Sequence, residues 1–396
     1  MKSKTVKLYF TLTALYTAGT AMIGSIYTNY LRAAGLNEFE VNMVNMAFFI
    51  TITICEIPTG LFADIFGRKR SFVISCFLMA ISMFVYALSH TMIWFMIAES
   101  LGGIAVTFSS GAFDAWMIDS LAYEKNTTDI HRIFSVRQKV SLCVTMLSVV
   151  IGGYIADISM SYTWAIGGIP YLICGVFASI TMKEHYFQKR KFSFLEGLTQ
   201  MGVTAKKSVT EIHRNAPFRF IILVGIIQTF AVITPNMEWQ KVFGEYLEHN
   251  RNFGFFIFIS YLAVFVGGHY SEWLIRKTGN PKVAIIIGQM IIGTFIMLTV
   301  STKMFPLVVV YFLIHEAGRG LYRPLKEAFM QKNIPSEQRA TLASFESVTG
   351  HIGGMVGLLM TGVVATTIGV SFAWVISGGI LVIATLLVAK NGHKKV

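Results

Sequence analysis

Charged residues are scarce in this sequence. Only 14% of its 396 residues are Asp, Glu, Lys or Arg, whereas 54% are hydrophobic. An ordinary soluble domain is about 25% charged, so a chain of this length has too little polar surface to form soluble domains. The composition therefore indicates a protein whose solvent is the lipid bilayer.

Cysteine and the common catalytic motifs are also scarce or absent. The four cysteines, Cys55, Cys76, Cys143 and Cys174, lie in apolar runs without CxxC spacing, so we expect no disulfide framework, metal site or cofactor. No GxxxxGK[ST], HExxH or GxSxG sequence is present, which argues against an ATP-driven pump and against a membrane enzyme. The net charge of +12 is typical of basic cytoplasmic loops, and we expect no nucleic-acid partner.

Long apolar runs dominate what remains. A helix needs about 20 apolar residues to cross the hydrocarbon core, and each such run is a candidate span. We predict an all-α polytopic membrane protein with twelve transmembrane helices. Their limits are 8 to 31, 41 to 63, 71 to 89, 92 to 118, 138 to 158, 162 to 182, 217 to 238, 252 to 274, 282 to 301, 305 to 329, 343 to 366 and 371 to 389.

The distribution of Lys and Arg orients these spans. With a cytoplasmic N-terminus, most of the 33 Lys and Arg fall in cytoplasmic segments, as the positive-inside rule requires. The others are either outside (Arg32, Lys241, Arg251 and Lys303) or within the tenth span (Arg319, Arg323 and Lys326). We therefore expect a multi-pass protein of the cell membrane with both termini in the cytoplasm.

One long basic loop divides the chain. It predicts an N-terminal six-helix half (1–182), a cytoplasmic linker (183–215) and a C-terminal six-helix half (216–396). Apolar residues such as Phe192 and Leu195 interleave with Lys189, Arg190 and Lys191. This part of the linker is either an amphipathic helix on the anionic inner leaflet or a solvated connection.

The two halves carry matching residues. Gly60, Ala63, Asp64, Arg68 and Lys69 after span two correspond to Gly268, Ser271, Glu272, Arg276 and Lys277 after span eight. Glu99 in span four corresponds to Glu316 in span ten, and Gly153 in span five to Gly362 in span eleven. Such a duplication is typical of transporters that alternate the access of a central site between two sides of a membrane.

The loop from Gly60 to Arg70, GLFADIFGRKR, resembles the signature motif of the major facilitator superfamily. Glu56-Ile-Pro-Thr-Gly60 and Asp114-Ala-Trp-Met-Ile-Asp119 resemble bacterial drug-efflux-like members. The resemblance implies a cytoplasmic gate in which Arg68 pairs with Asp119, and glycines that allow close packing and a tight turn. The expected gate residues are Gly60, Asp64, Gly67, Arg68, Lys69, Asp119, Glu272 and Arg276.

Two departures from the family pattern bear on coupling. Ser148-Val149 precedes Gly152-Gly153 in span five, where antiporters of the family have Gly-Pro. Glu99 occupies a span-four position where the family often has an arginine linked to proton transfer. Both departures weaken the inference to proton antiport of the familiar kind and imply that coupling is arranged differently here.

Charged groups within spans are the candidates for proton coupling, because they are costly in the hydrocarbon zone. Glu56 is the first choice, the alternative being a hydrogen-bonded carboxyl beside a helix break at Pro58. Asp114 suits a cationic or polar substrate or a proton shared with Glu56. Glu99 and Glu316 are either substrate or proton sites or an outer-leaflet packing network, and His315 is either a proton relay or a histidine satisfied by a partner.

Polar and aromatic residues of several spans are the candidates for a substrate cavity. Arg319, Arg323 and Lys326 share a helix face and are expected to pair with acids of the other half, unless Arg323 and Lys326 extend to the cytoplasmic surface. The full set of cavity candidates is Tyr27, Asn45, Phe113, Gln228, Arg319, Tyr322, Arg323 and Phe345.

The sequence thus predicts a bacterial secondary transporter that exports amphipathic small molecules by proton antiport. The alternative is proton-coupled uptake or exchange of a specific small solute. The expected partners are a small-molecule substrate, protons and membrane lipid, with no obligate protein partner.

Overall fold

The computed structural model describes residues 3–187 and 215–391, and helices account for nearly all of them. In chain order the helices are α1 (Lys4–Met22), α2 (Tyr27–Ala33), α3 (Glu38–Phe66), α4 (Arg68–Leu88), α5 (Met92–Ser109), α6 (Ala112–Tyr123), α7 (Ile130–Ile158), α8 (Met160–Thr181), α9 (Ala216–Phe243), α10 (Asn250–Thr278), α11 (Pro281–Thr299), α12 (Phe305–Asn333), α13 (Ser336–Thr367) and α14 (Val370–Asn391). The all-α prediction is confirmed, and each of the twelve predicted spans falls on helical structure.

Within the described ranges, ten helical segments are long and apolar enough to cross a membrane. The two other predicted spans are the first, which α1 and α2 share, and the tenth, which is α12. The charged residues of α12, among them Glu316, Arg319 and Lys326, lower its hydropathy. The chain is therefore a multi-pass membrane protein with charge concentrated in one span.

Two predicted spans are interrupted, contrary to expectation. A short 3-10 turn at Ile23–Ser25 separates α1 from α2. The fourth span breaks between Ser109 and Ala112, where Gly111 has a φ of 71° that a residue with a Cβ rarely adopts. The break expected at Pro58 is absent, because α3 continues through this proline.

The described helices form two compact units. Unit 1 comprises Met1–Leu36, Val44–Leu198 and Leu247–Phe258, and unit 2 comprises Asn37–Met43, Thr199–Tyr246 and Ile259–Val396. The core of unit 1 is rich in buried aromatic residues, including Tyr9, Phe72 and Trp116. The core of unit 2 is built from aliphatic and aromatic residues of α9, α11 and α12, including Ile221, Ile285 and Leu325.

The predicted linker begins immediately after α8. Residues 183 to 187 are described and lie outside any helix. The amphipathic segment expected around Phe192 and Leu195 falls outside the described residues, so its conformation stays a prediction.

Candidate functional site

Unit 1 contains a cavity of about 290 Å³. Its wall combines hydroxyl groups, two phenylalanine rings and an acid–base pair, which come from α1, α4, α7 and the segment from the end of α5 to the first turn of α6. The lining residues are Thr13, Tyr16, Thr17, Phe72, Ser109, Ser110, Gly111, Phe113, Asp114, Arg137 and Ser141. Two residues proposed from the sequence, Phe113 and Asp114, therefore lie in one cavity.

The helix break places Asp114 in this wall. Gly111 is the N-cap of α6, and Asp114 lies in the first turn of that helix. A carboxylate at this position interacts favourably with the unpaired backbone N–H groups at a helix N-terminus. The turn at Gly111 thus gives a negatively charged side chain a favourable position within an apolar span.

Arg137 of α7 is the partner of this carboxylate. Its Nη1 donates to both oxygens of Asp114, at 2.7 Å each. Tyr9 of α1 donates its hydroxyl to Asp114 Oδ1 at 2.6 Å, and its ring lies 5.6 Å from the guanidinium carbon of Arg137. Each of the two charged side chains is 35% exposed, so the pair is held by protein groups but accessible from the cavity.

The aromatic part of the wall is rigidly packed. Phe72 and Phe113 are stacked with ring centroids 4.1 Å apart and planes 11° apart. Phe113 also contacts the ring of Tyr9 at 4.7 Å. Phe72 is 1% and Phe113 is 6% exposed, so the two rings pack mainly against each other and form a small apolar part of the cavity wall.

Hydroxyl groups complete the cavity. Tyr16 contacts Ser75 Oγ at 3.0 Å and donates to Ser109 Oγ at 3.2 Å. Thr17 Oγ1 lies 3.1 Å from Ser141 Oγ, which joins α1 to α7. The cavity wall therefore contains hydroxyl groups in addition to the ion pair and the two phenylalanine rings.

Arg137 was not among the residues proposed from the sequence. The predicted fifth span begins at residue 138, whereas α7 begins at Ile130. Asp129 is the N-cap of α7 and accepts a hydrogen bond from the backbone N–H of His131. That capping signal was available in the sequence, and it places Arg137 two turns inside the helix.

Glu56 lies on α3 and is partly exposed. Within 3–187 and 215–391, no hydrogen bond or ion pair to its carboxyl group is recorded, and only its backbone carbonyl accepts, from Thr59 at 3.3 Å. The alternative of a carboxyl tied to a neighbouring span is thus not observed for the described residues. Glu56 does not line the cavity of unit 1.

Glu99 is enclosed by aromatic residues instead of lining that cavity. Its Oε1 accepts hydrogen bonds from Tyr27 at 2.6 Å and from Tyr86 at 2.7 Å. Asn45 donates to the Tyr27 hydroxyl at 3.2 Å, and Tyr86 stacks on Trp164 at 3.8 Å. Tyr27 and Asn45, both proposed as cavity residues, therefore hold the buried Glu99 in a polar network.

Glu316, the repeat counterpart of Glu99, has a cationic partner. Arg319 Nη1 donates to Glu316 Oε1 at 2.7 Å, one turn along α12. His315 is fully buried, and its Nδ1 lies 3.5 Å from the same oxygen. The two repeats thus surround equivalent carboxyl groups with different chemistry, hydroxyls in unit 1 and nitrogen bases in unit 2.

The basic residues of α12 pair within unit 2. Lys326 Nζ donates to both oxygens of Glu346 on α13, at 2.9 and 3.0 Å, and Arg323 pairs with Glu327 on the exposed side of its own helix. Because Arg319 pairs with Glu316, the expectation of partners in the other half is wrong for all three. The acids that pair with them lie one turn away on α12 or on α13.

Glu346 is the repeat counterpart of Arg137. It precedes Gly362 by the same number of residues by which Arg137 precedes Gly153. Each residue forms an ion pair with a residue of the preceding span, Lys326 or Asp114. Each half therefore carries an ion pair between these two spans, with opposite charges at the equivalent positions of Arg137 and Glu346.

Other cavity candidates cluster near the Lys326–Glu346 pair. Gln289 of α11 donates to Gln228 of α9 at 2.9 Å, and the Lys326 ammonium lies 5.7 Å from the Tyr322 ring centroid. Phe345 packs against the apolar core of unit 2. The structure thus places Gln228, Tyr322 and Phe345 in unit 2, and none of the three lines the cavity of unit 1.

The motif residues at the start of α4 form a cluster within unit 1. Arg68 and Asp119 form an ion pair, which is the partnership inferred from the resemblance. Glu184, which sequence reasoning missed, accepts a hydrogen bond from the Arg68 backbone N–H at 2.8 Å. Gly67 has a φ of 102°, and a Cβ there would lie 2.6 Å from Glu184 Oε2. The tight turn expected at Gly67 is present.

Tyr186 belongs to the same cluster and lies outside the spans. Its hydroxyl donates to the Trp116 carbonyl at 3.2 Å. Burial raises the pKa of Tyr186 to about 12, and the nearby charges of Glu184 and Asp119 act in the same direction. The hydroxyl therefore stays protonated at physiological pH and remains a donor.

The remaining motif residues are less closely packed or more exposed than Gly67 and Arg68. Gly60 was expected to allow close packing, but no described atom outside its own helical turn lies within 4 Å of its Cβ position, so this expectation is wrong. Asp64, Glu272 and Arg276 are exposed, and Lys69 is partly exposed. Among the described residues, no group of three or more His, Cys, Asp or Glu is arranged to hold a metal ion.

Comparisons with known proteins agree with this architecture. A family model described as Major Facilitator Superfamily matches residues 9–345. The chain is 19% identical to Multidrug resistance protein 2 of Bacillus subtilis (strain 168), over 95% of this chain and 92% of the relative. It is 21% identical to an uncharacterized MFS-type transporter of Methanocaldococcus jannaschii, over 89% of each chain.

Solved structures share the fold. The nucleoside transporter NupG superposes with a TM-score of 0.77 at 15% identity, over 99% of this chain and 100% of that chain. A bacterial homologue of the iron transporter ferroportin gives a TM-score of 0.76 at 11% identity, over 100% of both chains. Likeness at these identities concerns the fold and leaves the substrate open.

Proposed function

The chain belongs to the major facilitator superfamily of membrane transporters, and from that premise we propose that it exports amphipathic small molecules by alternating access in exchange for protons. It is a transporter and not an enzyme. The proposal places it in the cell membrane with both termini in the cytoplasm, as a six-helix half (1–182), a basic linker (183–215) and a second six-helix half (216–396).

The cavity of unit 1 is the observation that carries this proposal. Its wall combines an apolar part, formed by the largely buried rings of Phe72 and Phe113, with the accessible Asp114–Arg137 pair. A ligand with an apolar body and a polar head can use both surfaces at once, which an entirely polar solute cannot. The similarity to a multidrug resistance protein of Bacillus subtilis supports the same substrate class.

Glu56 is the proposed proton carrier. It is a carboxyl within an apolar span, is partly exposed, and has no recorded partner in the part of the chain that is described. Asp114, Glu99 and Glu316 are each engaged by hydrogen-bond donors or a base. A carboxyl without such a partner can take up and release a proton without first breaking an interaction.

The cluster around Arg68 is the proposed cytoplasmic gate element. The Arg68–Asp119 pair and the Glu184 contact with the start of α4 hold the helix ends of unit 1 in one arrangement. In the proposed cycle this arrangement belongs to one state and is released in the other. Glu272 and Arg276, at the equivalent position in unit 2, are proposed to act in the same way.

A second candidate is proton-coupled uptake or exchange of a specific small solute. The hydroxyl groups of Tyr16, Thr17 and Ser141 favour it, because they offer directional hydrogen bonds within a cavity of about 290 Å³. A small polar solute would satisfy these groups better than a large lipophilic drug.

The test is transport by the purified protein in proteoliposomes. Lipophilic cations, zwitterionic drugs and amphipathic anions are offered on one side, and the internal pH and the solute content of the vesicles are recorded together. Export by antiport requires protons to move opposite to the solute. Proton movement in the same direction as a solute supports the second candidate, and flux without proton movement contradicts both.

A further inference from the structure

Arg137 uses only part of its hydrogen-bonding capacity. Both contacts with Asp114 come from Nη1 alone, although a guanidinium group carries five N–H donors on three nitrogens. In the described structure no hydrogen bond from Nε or Nη2 is recorded. The edge of the guanidinium group formed by Nε and Nη2 is therefore available, and the side chain is 35% exposed.

Asp114, in contrast, is largely satisfied. Its Oδ1 accepts from Tyr9 and Arg137, and its Oδ2 accepts from Arg137. The spare capacity of the ion pair therefore lies on the donor side. A ligand group that accepts hydrogen bonds complements this surplus, whereas an ammonium group would have to compete with Arg137 and Tyr9 for the carboxylate.

The surroundings of the free edge favour a planar acceptor. Two parallel N–H groups match the two oxygens of a carboxylate, which is the bidentate geometry that arginine prefers. Ser141 lies one turn beyond Arg137 on α7 and also lines the cavity. The largely buried rings of Phe72 and Phe113 form the apolar part of the cavity wall, against which the body of the same ligand can pack.

We propose that the molecule bound in this cavity is an amphipathic carboxylic acid whose carboxylate docks on the Nε–Nη2 edge of Arg137 while Asp114 keeps Nη1. The assignment rests on the proposed transport function, because it names the substrate class of the same site. Arg137 is thereby a specificity-determining residue that touches the substrate, and Asp114 and Tyr9 are positioning residues that fix its orientation.

The test uses three probes with one aromatic body and different head groups. Naphthoate carries a carboxylate, naphthamide is neutral, and naphthylmethylammonium is a cation. Binding of each to the purified full-length protein is measured by isothermal titration calorimetry at neutral pH. A bidentate charge-assisted contact predicts that naphthoate binds roughly tenfold or more tighter than naphthamide, since each tenfold corresponds to about 1.4 kcal/mol.

Arg137→Lys tests the role of the planar edge. Lysine keeps the positive charge beside Asp114 but lacks the two parallel N–H donors of the guanidinium edge. The preference for naphthoate over naphthamide is therefore expected to fall to within about twofold. Arg132→Lys is the matched control, because Arg132 lies on the same helix and is exposed. It should retain the full preference. The head-group comparison in the wild-type protein tests the proposal even if Arg137→Lys does not fold.

The outcomes separate this proposal from the transport function. Equal affinity for naphthoate and naphthamide, or tighter binding of the cation, overturns the carboxylate assignment whether or not proteoliposomes exchange solute for protons. A strong preference for naphthoate that Arg137→Lys removes supports it. If that preference occurs in a protein without proton-coupled flux, the carboxylate subsite stands and the proposed export mechanism fails.

Discussion

Arg137 Nη1 lies 2.7 Å from each carboxylate oxygen of Asp114, so one nitrogen holds both oxygens. The two residues come from helices whose starts are set by local signals, the turn at Gly111 before α6 and the Asp129 cap before α7. A change in either helix start would separate the pair. The cavity of unit 1 therefore depends on two short segments between spans as much as on the spans themselves.

Removing one partner of this pair should cost more than removing both. We expect Asp114→Asn to lower the free energy of unfolding by about 1–2 kcal/mol, a value reduced for the partial exposure of the pair. The reason is that Arg137 loses its anionic partner. The double variant Asp114→Asn, Arg137→Gln should recover part of this loss. Thermal unfolding of the purified proteins measures both effects, and additive losses would contradict the interaction.

Glu56→Gln should uncouple transport from proton movement. Glutamine has nearly the same size but cannot carry a proton, so we expect binding of solute to persist while solute-driven pH change in proteoliposomes is lost. Glu327→Gln is the control, because Glu327 is exposed on α12. Normal coupling in Glu56→Gln would assign this carboxyl a structural role.

Two glycines of the signature motif should respond in opposite ways to alanine. Gly67→Ala places a side chain at a φ of 102° and brings Cβ against Glu184, so we expect a loss of about 1–3 kcal/mol in stability. Gly60 lies inside α3 with open space at its Cβ position, and Gly60→Ala should be neutral or stabilise by about 0.5–1 kcal/mol. Similar losses in both variants, measured by thermal unfolding, would disagree with this packing.

Adjacent glycines of α10 provide a second matched comparison. A Cβ at Gly267 would overlap the backbone carbonyl of Ala317 on α12, whereas a Cβ at Gly268 would meet Gly320 O at an ordinary 3.5 Å. We expect Gly267→Ala to destabilise the protein by about 1–3 kcal/mol and Gly268→Ala to be tolerated. Equal yields and melting temperatures for the two purified variants would show that α10 and α12 do not cross at Gly267.

Several features of the site could be read from sequence because they depend on local chemistry. The Arg68–Asp119 pair was implied by the resemblance to the family, and the turn at Gly67 by the freedom of glycine at positive φ. The presence of a charged pair in the cavity was signalled by Asp114, a charge that would be costly in lipid without a partner. Arg137 was not proposed as a site residue, because the predicted span was limited to the apolar run. The helix itself begins earlier, at Ile130.

The sequence by itself determined the helical class and the membrane environment. Unpaired backbone groups are too costly in hydrocarbon, so long apolar runs of this composition must form helices. It also determined the family, because the motif from Gly60 to Arg70 and its repeat are local patterns.

Apart from the Arg68–Asp119 pair, the partners of the charged residues in the spans were decided by the tertiary structure alone. Asp114 forms an ion pair with Arg137, and Lys326 forms one with Glu346. Glu99 accepts hydrogen bonds from Tyr27 and Tyr86. These partners lie on different helices, and their meeting depends on helix starts, helix breaks and rotation about each axis. Hydrophobic runs specify none of these quantities, because lipid-facing residues tolerate any rotation that keeps polar groups inside the protein.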